Sequence, residues 1–209
     1  WSSDVCSSDL TRNTYVPGTQ QTPEMARLSD GGYITVWASD GQDGWGNGIY
    51  AQRFDAKGVA AGTEFRINSY TPNPQSEPVV AALTGGGYVV AWRSEGQDGS
   101  SAGVYAQRFA NDGTLLGSEF LVNSATDNGQ FQPNIAATAD GGFVVAWGTD
   151  YYNTSFTEYR DIYFQRYNAA GVAQGGETQA NPGGESTVTQ SQPNIVGLSG
   201  GGFVTVWTD

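Results

Sequence analysis

The chain has no histidine, one cysteine, one methionine and only nine Lys plus Arg in 209 residues. Each shortage removes a class of chemistry. Without histidine there is no imidazole base, so a serine or cysteine nucleophile would need a lysine or a terminal amine beside it. Cys6 alone allows no intrachain disulfide and no zinc site built from several thiolates. Nine basic residues against 21 acidic ones give a net charge of -12, which repels phosphate backbones and anionic membrane surfaces, so no nucleic-acid partner is expected. No apolar run approaches the roughly 18 to 20 residues that span a bilayer, so no membrane insertion is expected. No charged-then-apolar leader opens the chain, which places any export signal outside these residues.

Glycine is plentiful, with 30 residues, and aromatics make up 12% of the chain. That composition suits short strands and tight turns better than long helices. The pattern beneath it is a repeat. GGYITVW, GGYVVAW, GGFVVAW and GGFVTVW end at Trp37, Trp92, Trp147 and Trp207, at spacings of 55, 55 and 60 residues. Ten residues before each aromatic stands a proline (Pro23, Pro78, Pro133, Pro193), itself three after a glutamine (Gln20, Gln75, Gln130, Gln190). IYAQRF, VYAQRF and IYFQRY follow downstream, then EFRIN, EFLVN and the less apolar ETQAN.

Each unit reads as four short strands joined by turn chemistry. Asp/Gly-rich pairs join the first strand to the second, and Gly58, Gly113 and Gly171 suit the left-handed position that closes the third hairpin. In YITVW, Tyr33, Thr35 and Trp37 share one face and Ile34 and Val36 the other, so both faces are largely apolar. A sheet stacked between two similar sheets needs that pattern, and known propeller repeats run to roughly 40 to 50 residues per four-stranded blade. The expected fold is all-β, a β-propeller fragment of about three and a half blades, with units at 20–74, 75–129, 130–189 and a partial unit at 190–209. The recurring Trp is expected to be a wedge between blades. Arg53, Arg108 and Arg166 recur with Glu64, Glu119 and Glu177 as candidate ion pairs, and the glutamines are expected to bond backbone where one blade passes to the next.

These residues resemble the propeller-like GGxVVAW/GVYAQRF repeats of large secreted bacterial proteins, often beside RTX-type calcium-binding repeats or adhesin regions. The resemblance covers residues 11–209 and is most specific in SDGQDGWGNGIYAQRF and SEGQDGSSAGVYAQRF. It implies an extracellular or cell-surface location and calcium-rich surroundings. The first ten residues, WSSDVCSSDL, resemble translated sequencing-adapter read-through. The self-match at an offset of 55 begins just after Leu10, so residues 1–10 are expected to be non-native.

Two places could carry chemistry. Asp40, Asp43, Glu95, Asp98 and Asp150 lie on or beside the loops between strands two and three, where hard oxygens could ligate Ca²⁺. Their spacing is not that of an EF-hand, and solvated turn residues would look the same. Tyr151, Tyr152, Phe156 and Tyr159 interrupt the third copy and could meet a glycan or a cell-surface protein, or simply pack over a neighbouring blade. No acidic residue stands out from its counterparts in other copies as an active-site residue would. The sequence therefore points to a non-catalytic, adhesin-like scaffold or binding module, with Ca²⁺ as a candidate stabiliser, whose partners include further blades of the same parent protein. A lectin-like propeller is the alternative, and a glycoside hydrolase fragment a distant third.

Overall fold

A computed structural model describes residues 13–152, 158–181 and 189–209. Trp1 to Leu10 and Phe156 fall outside them. Three four-stranded antiparallel sheets follow one another along the chain, then a two-stranded one. The first holds β1 (Gln20–Arg27), β2 (Tyr33–Asp40), β3 (Asn47–Phe54) and β4 (Phe65–Arg66); the second holds β5 (Gln75–Ala82), β6 (Tyr88–Glu95), β7 (Ala102–Phe109) and β8 (Phe120–Leu121). The third holds β9 (Gln130–Ala137), β10 (Phe143–Tyr152), β11 (Glu158–Tyr167) and β12 (Thr178–Gln179), and β13 (Ser191–Gly197) pairs with β14 (Phe203–Thr208) in the last. Strands pair in chain order within each sheet, and no helix is found among the described residues. The expected β-propeller fragment is the observed fold. The outer strands are shorter than EFRIN-type segments suggest, two residues each, and ETQAN keeps its pairing through Tyr163–Gln179 and Phe164–Thr178.

The double glycine of each repeat serves two needs. Gly31, Gly86 and Gly141 adopt φ of 85°, 92° and 87° in the hairpin turn, where a side chain would be strained. At Gly32, Gly87 and Gly142, a Cβ would collide with the carbonyl oxygens of Phe54, Phe109 and Tyr167.

The core lies between the blades. Ile34, Val36, Ile49 and Ile67 of the first blade pack against Tyr88, Val90, Trp92 and Phe109 of the second. Val89, Ala91, Val104 and Val122, on the other face of the second blade, meet Phe143, Val145, Trp147 and Tyr167 of the third. Alternate residues of one strand thus enter different cores, the physical reason both faces had to be apolar. Trp92 and Trp147 are fully buried wedges, as expected. Rings interlock across the same boundaries, Phe65 edge-on to Phe109 with centroids 5.9 Å apart and Phe120 tilted on Tyr167 at 5.3 Å.

The linkers between blades are tied down by polar side chains. Gln75 donates to the carbonyl of Asn73 (2.7 Å) and Gln130 to that of Asp127 (3.0 Å), as expected. Buried Asn68 and Asn123 accept from the amides of Ile49 and Val104 at 2.7 and 2.8 Å and donate to Tyr70 and Ala125. Asn13 donates to Tyr15 in the same way, so the repeat geometry is already in place at residue 13. The expected Arg–Glu pairing is not the one found. Glu64, Glu119 and Glu177 accept from the linker amides of Thr14, Ser69 and Ser124 (2.7, 2.6 and 2.7 Å). Arg53 pairs instead with Asp30, Arg166 with Asp140, and Arg108 donates to the carbonyls of Ala169 and Ala170 in the next blade.

Candidate functional site

The five loop acids do not converge. Asp40 is exposed at the end of β2. Asp43 and Asp98 each turn one oxygen back onto their own loop, accepting from the amides of Trp45 (3.1 Å) and Ser100 (3.0 Å). Glu95 pairs with Arg93 at 2.9 Å, and Asp150 with Arg160 at 2.7 Å. These acids lie on three different blades, and among the described residues no group of three or more His, Cys, Asp or Glu could hold a metal. Two of these carboxylates, Asp43 and Asp98, close turns, and two, Glu95 and Asp150, pair with arginines.

The aromatic insertion lengthens a hairpin. β10 and β11 run to ten residues each and end in the pairs Tyr151–Tyr159 and Tyr152–Glu158. Tyr151 stacks on Tyr159 with centroids 5.4 Å apart and shares a hydrogen bond with the Tyr163 hydroxyl at 3.0 Å. Burial and that bond push the Tyr151 phenol above its ordinary range. Arg160 lies 4.2 Å over the Phe131 ring on the opposite face. Tyr151 and Tyr159 are each half-buried, so both pack within their own hairpin.

A different place gathers side chains from all four sheets. The first strands lie side by side, β1 on β5, β5 on β9 and β9 on β13, and so line the propeller axis. A cleft of about 480 Å³ opens among them. Its walls come from two repeat positions flanking the recurrent proline. Just before the proline stand Thr22, Glu77, Gln132 and Gln192; just after it, Glu24, Val79, Asn134 and Asn194. The residues before the proline all have positive φ, 48°, 54°, 51° and 53°, and mark the bulge where the register slips between Gln21 and Glu24 and between Ser76 and Val79. Such backbone in a non-glycine residue costs of order 1–3 kcal/mol and is concentrated at functional sites. The bulge turns these side chains toward the axis.

The cleft is asymmetric. Its carboxylates, Glu24 and Glu77, come from the first two blades, and its amides, Gln132, Asn134, Gln192 and Asn194, from the last two. Among the described residues no Lys or Arg lines it. The Glu77 carboxylate accepts from the Gln132 amide N–H at 2.6 Å, the Gln132 side-chain oxygen from the Gln192 N–H at 2.9 Å, and Asn134 from the Ile195 N–H at 3.3 Å. Glu24 is exposed. A wider cleft of about 670 Å³ between the outer strands of the first two blades holds Asp43, Asn68 and Glu119, but its acids recur from copy to copy, Asp43 with Asp98 and Glu119 with Glu64 and Glu177. The axial carboxylates escaped the sequence reading because no motif contains them. The available signal was the loss of repeat symmetry at two positions: Glu77 replaces Thr or Gln, and Glu24 replaces Val or Asn.

No protein-family model matches the chain, and no curated protein matches it. Solved structures do. An α-L-arabinanase from Penicillium chrysogenum, complexed with arabinobiose, superposes with a TM-score of 0.62 at 13% identity over 88% of this chain. An α-L-arabinofuranosidase from Fusarium graminearum, bound to an iminosugar inhibitor, gives 0.64 at 11% identity over 88%, and a Dyadobacter fermentans protein of unknown function 0.57 at 10% over 90%. The chain spans 58%, 57% and 61% of those three proteins. At such identities the likeness is one of fold. It nevertheless corrects the expectation of a non-catalytic, adhesin-like or calcium-binding module, because arabinanases and arabinofuranosidases sharing this architecture are enzymes.

Proposed function

We propose that the chain is part of a glycoside-hydrolase propeller acting on an arabinan-type glycan at the axial cleft, with Glu24 and Glu77 as its paired carboxylates. One observation carries the reading: where four inner strands meet, two carboxylates, Glu24 and Glu77, face one cleft at positions where the other copies carry Thr, Gln, Val or Asn. Hydrolysis of a glycosidic bond needs no imidazole, metal or thiol. One carboxylic acid protonates the leaving oxygen while a second carboxylate activates water or attacks the anomeric carbon. A histidine-free chain can supply both. The amides opposite can bind sugar hydroxyls without adding charge. The resemblance to repeats of secreted bacterial proteins supports an extracellular place of action.

The test is hydrolysis of linear arabinan and of an aryl α-L-arabinofuranoside. Glu24→Gln and Glu77→Gln are each expected to lower turnover by about 10²- to 10⁴-fold while the fold is kept. Hydrolysis that survives both substitutions, or a chain that neither binds nor cleaves arabino-oligosaccharides, would count against the reading.

A further inference from the structure

The side chains before the proline form a chain of clasps around the axis. Glu77 holds the Gln132 amide of the next blade, and Gln132 holds that of Gln192. The same backbone conformation, φ 48° to 54°, recurs at Thr22, Glu77, Gln132 and Gln192, so the Glu77 amide faces Thr22 as the Gln132 amide faces Glu77. Thr22 cannot clasp it. Its hydroxyl sits on Cβ, two carbons short of the oxygen that Glu or Gln presents, and among the described residues no side chain accepts from the Glu77 amide. The gap lies in the cleft wall beside the exposed Glu24 carboxylate.

We propose that this gap is a sugar-hydroxyl subsite. A hydroxyl oxygen of a neutral sugar accepts from the Glu77 N–H, taking the place a Glu or Gln oxygen fills at the other blades, and the neighbouring hydroxyl donates to Glu24. Thr22 at a left-handed φ keeps the space open. The site takes neutral glycans, because a uronate or sulfate there would face Glu24 and Glu77 with no cation in the wall. The proposal rests on the axial cleft being the glycan site, yet it can fail separately from that reading.

The experiment is Thr22→Gln in the 209-residue chain, with two readouts. Gln already occupies this conformation at Gln132 and Gln192, so the variant is expected to fold. Amide hydrogen exchange is expected to be faster at Glu77 than at Gln132 or Gln192 in the unchanged chain, and to slow at Glu77 in the variant. Gln132→Ala is the mirror test and is expected to speed exchange at Gln192. Arabinobiose, titrated by NMR, is expected to bind Thr22→Gln at least about tenfold more weakly than the unchanged chain. Equal protection of the Glu77 and Gln132 amides in the unchanged chain, or undiminished arabinobiose binding by Thr22→Gln, would overturn the subsite and leave the axial carboxylates standing. Absence of arabinobiose binding in the unchanged chain would overturn both.

Discussion

Replacing Trp92 with alanine tests whether stability resides between blades. Trp92 is fully buried and joins one cluster with Leu28, Ile34, Val36 and Ile49 of the preceding blade. A buried tryptophan removes about 150–250 Å² from water. At ~25 cal/mol per Å², with a partly collapsed cavity left behind, Trp92→Ala is expected to cost about 3 to 5 kcal/mol. The indole N–H is buried without an acceptor among the described residues, so Trp92→Phe sheds an unmet polar group along with some packing and is expected to cost only about 1 kcal/mol. Trp45, 67% exposed on the first loop, is the control, and Trp45→Ala is expected to change stability by less than about 0.5 kcal/mol. Urea unfolding followed by far-UV circular dichroism reads all three. A loss below about 1 kcal/mol for Trp92→Ala would refute the wedge.

Other substitutions probe the turns and the buried phenols. Gly142→Ala is expected to destabilise far more than Gly58→Ala in thermal melts: the first drives a Cβ into the Tyr167 carbonyl, whereas the second, at φ 82° with open space around it, costs about 1 kcal/mol of backbone strain. Burial raises the Tyr88 phenol well above its ordinary pKa and pushes Tyr105 up to about 12. In the unfolded chain both ionise near pH 10, so the stability they confer is complete below that pH and is lost as pH rises toward the folded values. Urea midpoints are expected to fall between pH 10 and 12. Among the described residues the Tyr88 hydroxyl has no partner, and its ring stacks on Phe109 at 5.0 Å, so Tyr88→Phe is expected to keep neutral-pH stability and make that fall shallower.

The repeat, the four strands per unit, the wedge and the linker bonds of Gln75 and Gln130 are legible because each is written several times over, and strand periodicity fixes which face a residue takes. Partner choice was not. Arg53 and Glu64 recur together, yet Glu64 holds the amide of Thr14 while Arg53 pairs with Asp30, since pairing depends on how the linker crosses between sheets. The loop acids looked like ligands because they cluster within each loop of a repeat, yet Asp43 and Asp98 bond to amides of their own turns and Glu95 and Asp150 pair with arginines. Glu24 and Glu77 showed the reverse. They lie 53 residues apart in unremarkable contexts, and only stacking of inner strands brings them to one cleft. The informative feature was a departure from the repeat, which a search for recurrence passes over.

The most direct measurement is an NMR titration of the isotopically labelled chain with arabinobiose, following backbone amides. Shifts centred on Thr22, Glu24, Glu77 and Gln132, weakened in Glu24→Gln, are expected. Shifts confined to the Tyr151–Tyr159 hairpin, or none at millimolar ligand, would contradict binding at the axial cleft.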